Sequence, residues 1–140
     1  MARHPIVRSI APALILALTG LLGACTAGAA LDPTPVSSVV TFQVADGSRF
    51  KVLLTDPADL RIVAAQADGK DVPNIPNGRI VHETGVNTGW SWSIDPADFD
   101  FVDVTDGSCD GTPQQIEDGA FEGERFCPWS AIVVAMEPAT

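Results

Sequence analysis

"VVTFQVADGSRFKVLLT", residues 39–55, is the stretch that decides the fold class. Apolar and polar residues alternate on both sides of Asp46-Gly47, the period of a strand with one buried face. An Asp-Gly pair between two such runs is the signature of a β-hairpin. Phe42 and Val44 then share one face, and Phe50, Val52 and Leu54 meet the same core from the partner strand.

The period changes at "TDPADLRIVAAQADGK" (Thr55–Lys70). Thr55 or Asp56 can cap a helix, Pro57 suits its first position and Asp59 favours its positive end. Leu60, Val63, Ala64 and Ala67 recur at helical spacing and Gly69 is a stop, which predicts a helix over about 56–68. The segment Pro73–Gly78 reads as turns, and "GRIVHE" (Gly78–Glu83) as a strand. "GWSWSI" (Gly89–Ile94) alternates strictly, which places Trp90, Trp92 and Ile94 on one face and Ser91 and Ser93 on the other. Asp95-Pro96 breaks that strand, and "FDFVDV" (Phe99–Val104) resumes it with a register shift near Val102. Thr112 and Pro113 open a short helical turn over about 112–118. "WSAIVVAM" (Trp129–Met136) is a last strand, apolar enough for a central place. The sum is an α+β domain with a mainly antiparallel sheet of five or six strands, one helix and one helical turn.

The N-terminus has a different pattern. Arg3, His4 and Arg8 precede an apolar run, Ile10–Leu22, of 13 residues. That is shorter than the roughly 20 residues of a membrane-spanning helix and has the form of a targeting segment. The run ends in "LLGAC" (Leu21–Cys25). This ending resembles the lipobox of bacterial lipoproteins, in which the cysteine is acylated and the preceding peptide removed. The resemblance implies a signal peptide over 1–24, a diacylglycerol and palmitate-type attachment at Cys25, and export to the cell membrane or outer membrane. "TAGAALDPTPVS" reads as a tether, so 25–37 would be a lipidated linker and 38–138 the globular domain. Loss of the signal leaves six basic against eighteen acidic residues, a net −12. Such a charge argues against nucleic acid and against electrostatic docking on anionic lipid, so the partner at the membrane is the bilayer reached through acyl chains.

Of three cysteines, Cys25 is consumed by lipid, and Cys109 and Cys127 remain as a pair in an oxidising compartment. They read as a disulfide. "RFCPWS" (Arg125–Ser130) also has the look of a monothiol redox motif. That chemistry wants a low-pKa thiolate at a helix start, and the acids Glu122 and Glu124 upstream work against it.

Four segments appear in order: "FKVLLTDPADL" (Phe50–Leu60), "NTGWSWSIDP" (Asn87–Pro96), "CDGTPQQIED" (Cys109–Asp118) and "RFCPWS" (Arg125–Ser130). Together they resemble a family of small exported domains that also occurs as the N-terminal domain of slime-mould calmodulin-binding proteins. The resemblance implies a compact β-rich domain and no activity. Calmodulin binding is not carried over, since no basic amphipathic helix is present.

Three groups of side chains are candidates for function. Ten of the eighteen acids fall within residues 95–124 without a basic residue among them. Asp95, Asp98, Asp100, Asp103, Asp106 and Asp110 are the calcium candidates, because hard cations take several carboxylate oxygens. The EF-hand spacing is absent, and Asp98 and Asp100 alternating with Phe99 and Phe101 is also how a solvated strand face reads. Trp90, Trp92 and Trp129 are candidates for a platform that stacks on sugar or peptide, with core packing as the alternative. His82, Glu83 and Ser130 invite a hydrolase reading, yet a single histidine left after loss of His4 with the signal, and no nucleophile elbow, support it weakly. The leading expectation is therefore a non-catalytic, lipid-anchored binding module with no cofactor, recognising an envelope protein or glycan through an aromatic-acidic face. An envelope hydrolase using His82 and carboxylates, or an inhibitor of an exported hydrolase with 109–127 as a rigid insert, are the alternatives.

Overall fold

The computed structural model describes residues 37–140. The signal segment, His4, Cys25 and the tether to residue 36 lie outside the described residues. The opening hairpin is present as β1 (Ser38–Gln43) and β2 (Arg49–Leu54), with Phe42 opposite Phe50. Its turn is held by Asp46, whose Oδ1 accepts from the Ser48 N–H (2.8 Å) and hydroxyl (2.6 Å), with Gly47 at φ 87°. These bonds also hold the Asp46 carboxyl below the usual carboxylate range, the Ser48 hydroxyl contributing most.

Helix α1 (Pro57–Ala67) starts as its capping residues require. Asp56 accepts from the Ala58 N–H at 2.7 Å and Pro57 occupies the first turn. Leu60 and Val63 are its buried apolar residues. β3 (Ile75–Val81) and β4 (Ser93–Val102) follow, then α2 (Pro113–Glu117), the two-residue β5 (Arg125–Phe126) and β6 (Ile132–Pro138). Thr112 caps α2 reciprocally: the Gln115 side chain accepts from Thr112 N–H, and the Thr112 hydroxyl accepts from Gln115 N–H.

All six strands pair antiparallel, but in two sheets of three, with orders β2-β1-β6 and β4-β3-β5. One core joins them. Val40, Phe42, Phe50, Val52 and Leu54 of the first sheet share it with Trp92, Ile94, Phe101 and Phe126 of the second region. Phe50 stands at its centre, stacked on Phe42 and edge-on to Phe126, both at 5.2 Å between centroids. Trp92 closes the cluster edge-on against Phe126 at 5.6 Å.

Four sequence expectations are corrected. Strand β3 begins at Ile75, inside the stretch read as turns, because Ile75, Pro76 and Asn77 pair with Val102, Phe101 and Asp100. Asp95-Pro96 does not end β4. The chain stays extended while its pairing jumps from Ile80–Ile94 to Gly78–Phe99, so residues 95–98 form a wide bulge, and the register shift lies there and not at Val102. A Cβ on Gly78 would overlap the Ile94 side chain, so glycine permits this crossing. Nor is β6 central: it is an edge strand with Ile132, Val134 and Met136 exposed.

The fourth correction concerns "GWSWSI". Residues 88–92 form a tight turn and bend, and the strand starts only at Ser93. The cause is Asn87, fully buried, whose Oδ1 accepts from the Lys51 N–H (2.8 Å) and whose Nδ2 donates to the Trp92 carbonyl (3.0 Å). Ser93 is consequently buried and Ser91 exposed, where its N–H and hydroxyl both donate to Glu117.

Asp59, the third residue of α1, is only 7% exposed, and burial together with Asp56 and Asp100 pushes its carboxyl up to about 6. A carboxyl raised in the folded state favours folding while protonated, and that contribution is lost as pH rises from about 4 through about 6. Asp59→Asn is expected to be the more stable protein at pH 7, by about 1–2 kcal/mol, and equal to the parent near pH 4. Urea melts at the two pH values measure this. An equal difference at both would show that Asp59 does not titrate in the fold.

Candidate functional site

One end of the domain gathers the disulfide, the exposed tryptophan and a loop of acids. Cys109 and Cys127 are bonded, with Cα atoms 5.1 Å apart, and the Cys127 N–H donates to the Cys109 carbonyl at 2.7 Å. Cys127 and Pro128 are buried, so the chain leaves the core at Trp129. Trp129 is 52% exposed, yet it is fixed at three places. Its N–H donates to Asp110 Oδ1 (3.0 Å), its indole Nε1–H donates to the Thr105 hydroxyl oxygen (2.6 Å), and its ring lies against Gly107, which sits at φ 82°. The same Thr105 oxygen is 3.4 Å from Cys127 Sγ.

The loop beneath the ring repeats the chemistry of the β1–β2 turn. Asp106-Gly107-Ser108 has the sequence of Asp46-Gly47-Ser48, and Asp106 Oδ1 accepts from both the Ser108 N–H (2.9 Å) and hydroxyl (2.7 Å). The Ser108 hydroxyl, first, and its N–H hold the Asp106 carboxyl below the usual range, so it stays charged. The same loop exposes Val104 (82%) and the acids Asp103, Asp106 and Asp110, so it carries apolar and anionic groups on either side of Thr105 and Gly107, which touch the ring. On the far side, Ser130 Oγ accepts from the Ala45 N–H at 3.1 Å and ties this end to the opening hairpin.

The three tryptophans are not one platform. Trp92 is 1% exposed and belongs to the core, which corrects its place among the binding candidates. Trp90 is half-buried against it, ring centroids 6.2 Å apart, and spends its indole N–H on the Arg49 carbonyl (2.8 Å). Trp129 alone of the three presents half its surface.

The acidic stretch divides as well. Asp95, Asp98 and Asp100 lie on β4 beside two arginines that the sequence carries elsewhere. Arg79 of β3 pairs with Asp95 and Asp98. Arg125 of β5 reaches across to Asp98 (2.6 Å) and Asp100 (3.7 Å), and also donates to Asn77 (3.1 Å). Asn77 in turn donates to Asp100 at 2.8 Å. The Arg125 hydrogen bond is the main reason the Asp98 carboxyl is held below its usual range. Sequence reasoning missed Arg79 and Arg125, because strand pairing brings them there from 16 and more residues away. Asp103, Asp106 and Asp110 stand apart from this ladder. Among the described residues no three His, Cys, Asp or Glu side chains are placed to hold a metal ion.

His82 and Ser130 serve different surfaces. His82 is exposed and lines a cleft of about 370 Å³ with Arg79, Ile80, Phe121 and Glu124. Ser130 is bonded at the hairpin, as above. The segment 109–127 does not project as a free loop, since Pro113, Ile116 and Phe126 are buried within it.

No curated protein and no solved structure is similar enough to the chain to match it. The family model described as the BP-74 N-terminal domain matches residues 37–140, the whole of the described domain. That span contains all four segments on which the family resemblance rests, together with the disulfide and the Trp129 loop that they frame. The chain belongs to the family of BP-74 N-terminal domains.

Proposed function

We propose that this protein is a non-catalytic binding module, exported and held at the cell envelope by lipid on Cys25, which recognises a protein or glycan through Trp129 and the acidic loop 103–110. The observation that supports it most is the state of Trp129. An exposed indole normally costs little to leave mobile, but this one is held by its Nε1–H bond to Thr105 and by Gly107 against its ring, while the Trp129 backbone N–H is fixed on Asp110. A rigid, half-exposed aromatic loses little entropy on binding and offers a large apolar area. The tether would keep that face clear of the bilayer, and the net acidity of the domain keeps it off anionic headgroups. Calcium remains an additive to test at the loop acids, while no cofactor is assigned.

The test is capture from envelope extract. The unaltered domain is expected to retain a partner, and Trp129→Ala to lose at least tenfold of it, about 1.4 kcal/mol or more, while melting within about 0.5 kcal/mol of the parent. Iodide should quench a fraction of the tryptophan emission that disappears in Trp129→Phe. Equal capture by Trp129→Ala and the parent would sink the assignment of this face.

A further inference from the structure

The connection between β3 and β4 is held more firmly than a surface loop requires. Asn87 pins it through the Lys51 N–H and the Trp92 carbonyl, and the Asn87 N–H donates to the Thr84 carbonyl at 2.8 Å. The pinned loop closes one side of a cleft of about 370 Å³, where β2 meets β3 and β4. Small-ligand sites occupy roughly 300–1,000 Å³. Strand register explains the apolar walls. Val52 and Leu54 point into the core, so Leu53 between them faces the other way, into the cleft. Val81 stands opposite Ser93 in the β3–β4 ladder, so their side chains share a face. Val86 of the loop adds a third apolar wall.

Two polar groups of this cleft have no use in the fold. Ser93 is only 7% exposed and lines the cleft, yet its hydroxyl has no hydrogen-bond partner among the described residues. A buried hydroxyl left unpaired carries a cost that a bound group relieves. Gly85 stands beside it at φ 51°, and a Cβ there would come within 3.1 Å of the Ser93 oxygen, so glycine keeps the hydroxyl accessible. Glu83 also lines the cleft, is exposed, and takes part in no ion pair among the described residues. The other carboxylate of the lining, Asp95, is already engaged by the Ala97 N–H and by Arg79. No basic residue lines the cleft.

We propose that this cleft binds a primary alkylammonium group, either a free aliphatic amine or the side chain of a lysine. An ammonium offers three donors and no acceptor. The Ser93 hydroxyl oxygen and the Glu83 carboxylate accept from it, while its methylene chain lies against Leu53, Val81 and Val86. An alcohol of the same shape satisfies Ser93 and leaves Glu83 unused. A carboxylate meets two like charges and is rejected. The cleft shares no residue with the Trp129 loop, so this site stands or falls independently of the binding face above.

Chemical-shift titration of the full chain in detergent tests this. The ligands are n-butylammonium and a lysine blocked at both backbone ends, with n-butanol and butyrate as matched controls. The ammonium ligands are expected to move the Gly85, Val86 and Ser93 amides to saturation, with butanol at least about tenfold weaker and butyrate without effect. Glu83→Gln, at an exposed position, should weaken butylammonium about tenfold and leave butanol unchanged. Glu122→Gln removes the same charge outside the cleft and should change neither. Ser93→Ala should weaken both ammonium ligands about threefold and, having lost only an unpaired hydroxyl, melt no lower than the parent. Tighter binding of the blocked lysine identifies a protein lysine as the source, and tighter binding of butylammonium a free amine. Equal affinity for butanol and butylammonium, equal weakening by Glu122→Gln, or saturable shifts only outside this cleft overturns the site.

Discussion

Trp92→Ala is expected to destabilise the domain by about 3–5 kcal/mol, the cost of removing a large buried aromatic. Domains of this size hold only about 5–15 kcal/mol in total, so the variant stands close to unfolding at room temperature. The ring is 1% exposed and touches Phe50, Trp90 and Phe126, so its loss opens a cavity at the junction of both sheets. Neighbouring aromatics are too rigid to collapse into that space. Trp92→Phe should cost much less. It keeps most of the volume and removes an indole N–H that has no partner among the described residues. The comparison with Trp129→Ala separates core from surface, because that change leaves stability nearly untouched. Urea melts followed by far-ultraviolet circular dichroism measure all three. A Trp92→Ala cost no larger than that of Trp129→Ala would remove Trp92 from the core.

Cys127→Ser comes next in size. The bridge spans 18 positions of sequence, and its loss frees that loop in the unfolded chain at a cost of about 3 kcal/mol. Serine would also place a hydroxyl at a fully buried position. A total of about 3–5 kcal/mol is expected. Cys109→Ser removes the same crosslink, so the double variant should be little worse than either single one. Trp129 begins two residues beyond the bridge, and its loop is held through Thr105 against Cys127. Partner capture should therefore fall with folding, and a reductant should reproduce the effect. A variant that keeps its melting point but loses capture would show that Cys127 acts at the surface and not as a clasp.

Acid titration separates the remaining electrostatics. Asp98, Asp46 and Asp106 have carboxyls held low, so their stabilisation is present above about pH 4 and lost as pH falls below it. Asp59 works in the opposite sense between about 4 and 6. The two trends together place the stability maximum on the mildly acidic side of neutrality.

The local elements were legible because their causes are local. The opening hairpin, the cap of α1 by Asp56 and the cap of α2 by Thr112 all depend on residues within a few positions of each other. The Cys109–Cys127 pairing followed from counting, since few partners were available. "GWSWSI" was misread because alternation predicts a strand unless something competes for the backbone. Asn87 does compete, through bonds to Lys51 and Trp92 that no window of sequence contains. The edge position of β6 was hidden for a related reason. Apolar content signals burial, but whether a strand has neighbours on both sides depends on where every other strand goes.

The sequence by itself thus determined the α+β class, the opening hairpin, the helix and the helical turn, and the disulfide, because periodicity, capping and cysteine number act at short range or by exclusion, whereas the two-residue β5 carried no local signal. It also marked the family to which the domain belongs, through four ordered segments. Only the tertiary structure decided which tryptophan faces solvent, which acids are neutralised by Arg79 and Arg125, and which strands stand at the edges of the first sheet. Those outcomes depend on long-range pairing. A side chain's exposure and a carboxylate's counter-charge are set by strands that lie tens of residues away in the chain and a few ångströms away in space.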